Sequence, residues 1–325
     1  MMAMLFLPTL LFSDDSKQQD TVIVLKNDKL AIEVMHPTHP DRYNRGVRFT
    51  PLAAVLTASM DNQSFFYAPS DHNPIADHGG LAAEFDLVAS GDPDEMMPPG
   101  YLEAEPGEGF LKIGVGVLEK GKKRYTLFQQ PKLLVPAETD VTRHDDDGVR
   151  FYQVCTGTNG YAYHLLADVT LVVPRIQIEW QLTNAGSKPS TTRHYTHNFF
   201  CFSHRAVGPD YRITFPYPCR PTGLEDGQRQ EGPSILFLQE IPRWVNIHIP
   251  YPESYAGPNT LLVRHETNGQ QILCETSLPS IYTAIHARAG YISPEQFVKL
   301  HLEPGETVTW TRTYTLQIAG PPALP

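Results

Sequence analysis

The segment RIQIEWQL at 175–182 alternates without a break: Ile176, Ile178, Trp180 and Leu182 on one side, Gln177, Glu179 and Gln181 on the other. Successive side chains of a β-strand point to opposite faces, so a period of two makes one face apolar and leaves the other wet. The same signature recurs in TVIVLKNDKLAIEV, FLKIGVGVL, YAYHLLADVTLVV, YRITFPY, WVNIHI, NTLLVRHE, FVKLHLEPGE and TVTWTRTYTLQI, all enriched in β-branched and aromatic residues. Between these runs fall many of the chain's 29 prolines and 23 glycines, which end strands and argue against long helices. The runs predict an all-β fold.

Nothing in the 325 residues reads as an inter-domain linker or an internal repeat of fixed period, so residues 21–320 are expected to form one domain. The opening MMAMLFLPTLLFSDDSKQQD has an apolar core of about ten residues, too short to span a bilayer. Residues 1–20 read as a signal peptide without a basic flank or a clear cleavage site, which leans toward export, or as an apolar N-terminal arm of a cytoplasmic protein. A formal net charge of −10 and the lack of a Lys/Arg-rich tract speak against the basic face that phosphate backbones require, and GKKR at 121–124 reads as a solvated hairpin tip. HDDDG at 144–148 lacks the remaining spacing of a calcium loop and reads as a charged turn. The four cysteines lack CxxC spacing and are expected to be buried thiols, with a Cys201–Cys219 bridge open if the chain is exported.

The stretch RIQIEWQLTNAGSKPSTTRHYTHNFFCF carries the most specific pattern. Leu182-Thr183-Asn184-Ala185-Gly186, a short turn with Pro189, and Thr196-His197-Asn198-Phe199-Phe200 resemble the L-T-N-x-G and N-H-x-Y-F elements of the galactose mutarotase (aldose 1-epimerase) superfamily. ADHGGLAAEFD resembles that family's HGG element, and AGYISPEQFVKLHLEPGETVTWTRTYTLQ resembles its closing pair of strands. The three elements occur in family order across roughly residues 21–320. The family's G-R-x-x-N-R motif is absent; DRYNRGVRF, with Arg42, Arg45 and Arg48, stands in its place, which marks a divergent branch.

The resemblance implies a large antiparallel β-sandwich and a sugar or oligosaccharide ligand, with acid–base chemistry at the anomeric carbon and no required cofactor. Opening an aldose ring needs a base for the C1 hydroxyl proton and an acid for the ring oxygen. The matched positions make Glu295 the base, with Glu275 of ILCETSLPS ranked behind it, and His197 the acid. Arg48 and His78 would hold hydroxyl groups, and Glu84, His194 and His286 complete the candidate substrate-facing set. Phe65, Phe66, Phe199 or Trp244 would supply a stacking face.

His194 has no counterpart in the family pattern and opens a competing expectation. With His197, His78 and His72 it offers imidazoles for a divalent metal, which would favour lyase or hydratase chemistry on a modified sugar. Residues three apart on a regular strand face opposite sides, so this set requires the strand to bend or end there. A third expectation is a sandwich that binds carbohydrate without turning it over.

Overall fold

A computed structural model describes residues 22–38, 46–69, 79–86 and 96–319. Residues 1–20, His72, His78, Arg42 and Arg45, all named above, lie outside the described residues. The described chain is all-β, its one helical element being the short 3-10 turn Phe202–His204. Among the described residues no helix is long and apolar enough to cross a membrane.

Two large antiparallel sheets face each other. One is nine-stranded, ordered Val22–Lys26, Leu30–Met35, Val55–Met60, Gly80–Phe85, Ser190–Phe199, Tyr291–Leu302, Tyr282–Arg288 and Trp244–Pro250, with Gln63–Ser64 attached to Val55–Met60. The other is ten-stranded, ordered Gln228–Glu231, Ser234–Phe237, Tyr211–Thr214, Thr260–His265, Gln270–Thr276, Thr307–Ile318, Arg175–Asn184, Tyr161–Val172, Gly148–Thr158 and Glu138–His144. A small sheet of Gly109–Lys112, Gly116–Glu119 and Leu133–Pro136 completes the described strands.

The alternating runs supply the core between the sheets. Ile176, Ile178, Trp180 and Leu182 are all buried there, with Trp310, Tyr314 and Leu316 from Thr307–Ile318 and Ile292, Val298, Leu300 and Leu302 from Tyr291–Leu302. All four cysteines are free and buried, so Cys201 and Cys219 form no bridge. Cys155, Cys219 and Cys274 pack in the apolar core, and the Cys201 thiol lies 3.7 Å from the Arg205 carbonyl oxygen.

The L-T-N-x-G element is a brace. Asn184 Oδ1 accepts the Gly186 N–H at 3.0 Å, and its Nδ2 donates to the carbonyls of Lys188 and Leu302. This ties the turn before Ser190–Phe199 to the strand that carries Glu295. Gly80 is required for a different reason. Its φ is +64°, and a Cβ there would lie 1.9 Å from the Val55 carbonyl oxygen. The HGG element therefore lets Gly80–Phe85 start in close contact with Val55–Met60.

Candidate functional site

Alternation along Ser190–Phe199 sends Tyr195, His197 and Phe199 to the outer face of the nine-stranded sheet and His194, Thr196, Asn198 to the face that meets the other sheet. Trp310 Nε1 donates to His194 Nδ1 at 3.1 Å, and the Tyr314 hydroxyl donates to Asn198 Oδ1 at 2.9 Å, both from across the sandwich. On the outer face His197 lies edge-on to Phe49 at 5.0 Å and stacks on Phe199 at 5.6 Å.

The neighbouring strand brings up Glu295 on the same face, and the ladder between the two strands opens where they meet. Paired residues run from Ser190–Leu302 to His194–Val298, and the pairing resumes only at Phe200–Ile292. Ile292 exchanges both backbone hydrogen bonds with Phe200, so the backbone of Pro294, two residues on, faces the same neighbour. Proline has no N–H to give there. The Asn198 N–H instead donates to Ser293 Oγ at 2.9 Å. The Ser293 hydroxyl in turn donates to Glu295 Oε1 at 2.9 Å, so one serine both fills the gap in the ladder and aims the carboxylate.

His197 sits between two carboxylates. Its Nδ1 is 2.9 Å from Glu295 Oε1, and its Nε2 is 3.6 Å from Glu84 Oε2. Burial alone would lower the imidazole pKa, but Glu295 and Glu84 outweigh it and the net shift is upward. Arg48 donates through Nε to Glu84 Oε2 at 3.0 Å, and its terminal nitrogen lies 3.4 Å from His197 Nε2. With His197 protonated that last approach is between two donors, and Glu84 is the carboxylate that faces Nε2–H as an ion-pair partner at 3.6 Å.

The rest of the face is aromatic and polar. His286 pairs through Nδ1 with Asn246 Oδ1 at 2.7 Å and through Nε2 with the Tyr291 hydroxyl at 3.2 Å. Its pKa falls to about 4 because burial disfavours the charged ring, so it is neutral. Tyr291 packs edge-on against Phe199 at 4.8 Å. Phe128 is 58% exposed although large and apolar, and the Arg48 guanidinium lies 5.6 Å from its ring.

The structure therefore brings Arg48, His197, Glu295 and, one strand farther, His286 to one face. Two expected substrate-facing residues are placed elsewhere. Glu84 is 0% exposed and lies beneath Arg48 and His197, where it touches protein alone. His194 is fully buried on the opposite face, because strand alternation turns it into the core; Phe85, Trp180 and Trp310 surround it at 4.8, 5.2 and 4.9 Å. His194 and His197 therefore cannot share a metal, which corrects the four-imidazole set. Among the described residues no group of three or more His, Cys, Asp or Glu is placed to hold one.

Glu275 lies on the outer face of the other sheet, where it lines a cavity of about 620 Å³ with Arg175, Thr311 and Thr313, far from His197. Phe65 and Phe66 are core residues and offer no stacking face. Trp244 is 55% exposed on the edge strand Trp244–Pro250, with two strands, Tyr282–Arg288 and Tyr291–Leu302, between it and His197's strand. Phe199 is the one of the four that lines the site.

Tyr195, Ser293, Tyr291, Phe49, Phe128, Asp86 and Lys112 were not anticipated. The first three follow from the period of two applied to His197 and Glu295. The others come from distant segments and have no local signal.

No protein-family model matches the sequence, and no curated protein matches it. Solved structures do. The Slr1438 protein of Synechocystis sp. PCC 6803 aligns with a TM-score of 0.59 at 12% identity, over 98% of this chain and 100% of that one. A galactose mutarotase related enzyme from Lactobacillus acidophilus aligns at 0.59 and 11% identity, over 91% and 97%. A GalM/aldose epimerase homologue from C. elegans aligns at 0.56 and 11%, over 92% and 99%. The fold is galactose mutarotase-like. Within this mutarotase-like fold, the outer face of the nine-stranded sheet is where His197, Glu295 and Arg48 meet.

Proposed function

We propose that the site performs acid–base chemistry at the anomeric carbon of an aldose, interconverting its two anomers. The observation that carries this reading is the 2.9 Å approach of His197 Nδ1 to Glu295 Oε1 on the outer face. The C1 hydroxyl and the ring oxygen of an aldose are bonded to the same carbon, so an imidazole and a carboxylate placed side by side on one face can each reach one of the two oxygens.

The Glu295 carboxylate takes the proton of the C1 hydroxyl. Electrons from that O–H bond form the C1 carbonyl, the bond from C1 to the ring oxygen breaks, and the ring oxygen receives a proton from the His197 imidazolium. Rotation about C1–C2 presents the other carbonyl face. Closure reverses each step and returns the proton on Glu295 to the new C1 hydroxyl and the ring-oxygen proton to His197. The raised pKa of His197 supports its role as the protonated partner. Arg48, with one face toward Phe128 and its Nε engaged by Glu84, holds a sugar hydroxyl, and Phe128 offers an exposed ring to the apolar face of a pyranose.

No step calls for a metal, so exhaustive dialysis against a chelator is expected to leave the rate unchanged. The test is the decay of optical rotation of fresh α-glucose and α-galactose. His197→Ala and Glu295→Gln are each expected to slow it by about 10² or more. Unchanged rates in both variants sink the assignment, and sugar affinity with no turnover across an aldose panel makes the chain a carbohydrate-binding sandwich.

A further inference from the structure

Beneath His197 lies a charged layer to which the acid–base reading gives one task, Glu84's hold on Arg48 Nε. Glu84 Oε2 accepts from Arg48 Nε at 3.0 Å and from the Tyr195 hydroxyl, and it lies 3.6 Å from His197 Nε2. Its second oxygen, Oε1, is 3.4 Å from Lys112 Nζ. The Lys112 side chain is 0% exposed; the residue ends the strand Gly109–Lys112 of the small sheet and reaches Asp86 Oδ2 at 3.4 Å as well. Withdrawing a lysine and a glutamate from water this completely is unfavourable for each ion until pairing offsets it. Apolar residues of the same size would fill the space without that cost. A wholly structural role therefore leaves the choice of charges without a reason.

Their placement relative to His197 supplies one. We propose that Glu84 is a positioning residue that fixes the ring orientation and the charge of His197, and that Lys112 is the counter-cation that keeps Glu84 ionised while moderating its pull on the imidazole. The link to turnover rests on reading His197 as the acid. The charge relation itself does not, and can be measured without any sugar.

The groups facing His197 settle the signs. Glu295 and Ser293 approach from one neighbouring strand, Glu84 from the other, Tyr195 from its own, Arg48 from the 46–50 segment and His286 from one strand farther. Burial would push Glu84 up, but Arg48, Lys112 and His197 outweigh it and hold its carboxyl well below the usual range. Glu84→Gln removes the negative charge at Nε2 while Arg48 stays 3.4 Å away, so the His197 titration must fall. Lys112→Met removes a cation from the far oxygen of Glu84, whose other oxygen stays anchored by Arg48 and Tyr195. Glu84 then remains ionised, less of its charge is countered, and the His197 titration must rise. The two substitutions move one imidazole in opposite directions.

The experiment follows the ring nitrogens of His197 by NMR in the full-length protein between about pH 4 and 9, with the resonance assigned by its loss in His197→Gln. Glu84→Gln is expected to increase the acid dissociation constant about tenfold or more, and Lys112→Met to decrease it by a smaller factor. No shift in either variant, or shifts of the same sign, overturns the proposal. Should Glu84→Gln fail to fold with Arg48 and Lys112 left uncompensated, the double variant Glu84→Gln/Lys112→Met removes one charge of each sign. It must still lower the titration, and an unshifted or raised His197 overturns the proposal equally. In a mutarotation assay the pH–rate profile shifts in step with the imidazole. If the NMR shifts appear and no aldose is turned over, the positioning role stands and the epimerase reading fails.

Discussion

His194 and His197 sit three residues apart on one strand and have opposite electrostatic lives. His194 is sealed among Phe85, Trp180 and Trp310, accepts the Trp310 indole N–H at Nδ1, and is held neutral because burial and then Arg312 push its pKa well below the ordinary value. His197 is almost as buried, yet its pKa moves up because Glu295 and Glu84 flank its two nitrogens. Burial by itself predicts the same direction for both. The difference lies in carboxylates brought from other strands, so an imidazole's chemistry is set by what the sheet places beside it.

The largest expected effect separates the two by readout. His197→Gln should lower the mutarotation rate by about 10² or more. His194→Ala should leave the rate per folded molecule close to that of the parent and lower the unfolding free energy by about 2–4 kcal/mol, through a core cavity and an indole N–H without an acceptor. Urea titrations alongside the polarimetric assay check both. A rate loss in the His194 variant equal to that of His197→Gln would erase the distinction.

Next comes the pH dependence of stability, where the slopes have opposite signs. The raised folded pKa of His197 contributes stability that is fully present below the unfolded value of about 6.5 and is lost as pH rises through the folded pKa. The lowered folded pKa of His194 carries no penalty above about pH 6.5, and the penalty grows as pH falls below it, by up to about 1.4 kcal/mol per pH unit. Urea midpoints from acid to mildly alkaline pH should show the acid-side loss reduced in a His194→Phe variant. The loss as pH rises above about 6.5 should be reduced in His197→Gln.

Ser293 gives a smaller test of how the outer face is built. Ser293→Ala removes the donor to Glu295 and the acceptor for the Asn198 N–H, so a loss of about 1–3 kcal/mol is expected, with a reduced rate that Ser293→Thr partly restores. Trp244→Ala is the smallest. An exposed edge-strand residue away from the acid and base should change stability by no more than about 0.5 kcal/mol and leave monosaccharide turnover near the parent rate.

Much of the fold was legible locally. The two-residue period in RIQIEWQL and TVTWTRTYTLQI marks buried and wet faces before any partner strand is known, because side-chain direction in a strand depends only on position along it. The same rule, carried two residues either way from His197 and two and four residues back from Glu295, points to Tyr195, Phe199, Ser293 and Tyr291. It also separates His194 from His197 as long as the strand stays regular, and it does.

Other features depended on register and packing between segments far apart in the chain. Pro294, next to Glu295 in the chain, has no meaning until it lies opposite Asn198, where it explains why the ladder opens and leaves Ser293 to aim the carboxylate. Glu84 looked like a ligand for sugar, and Lys112 carried no signal at all, since one comes from the strand after the HGG element and the other from a separate small sheet. The sequence by itself determined which residues face the same way along each strand, a local property of backbone geometry. Which charges meet behind His197, and hence its protonation state, only the tertiary structure decided, because electrostatic coupling follows distance in space and local burial rather than separation along the chain.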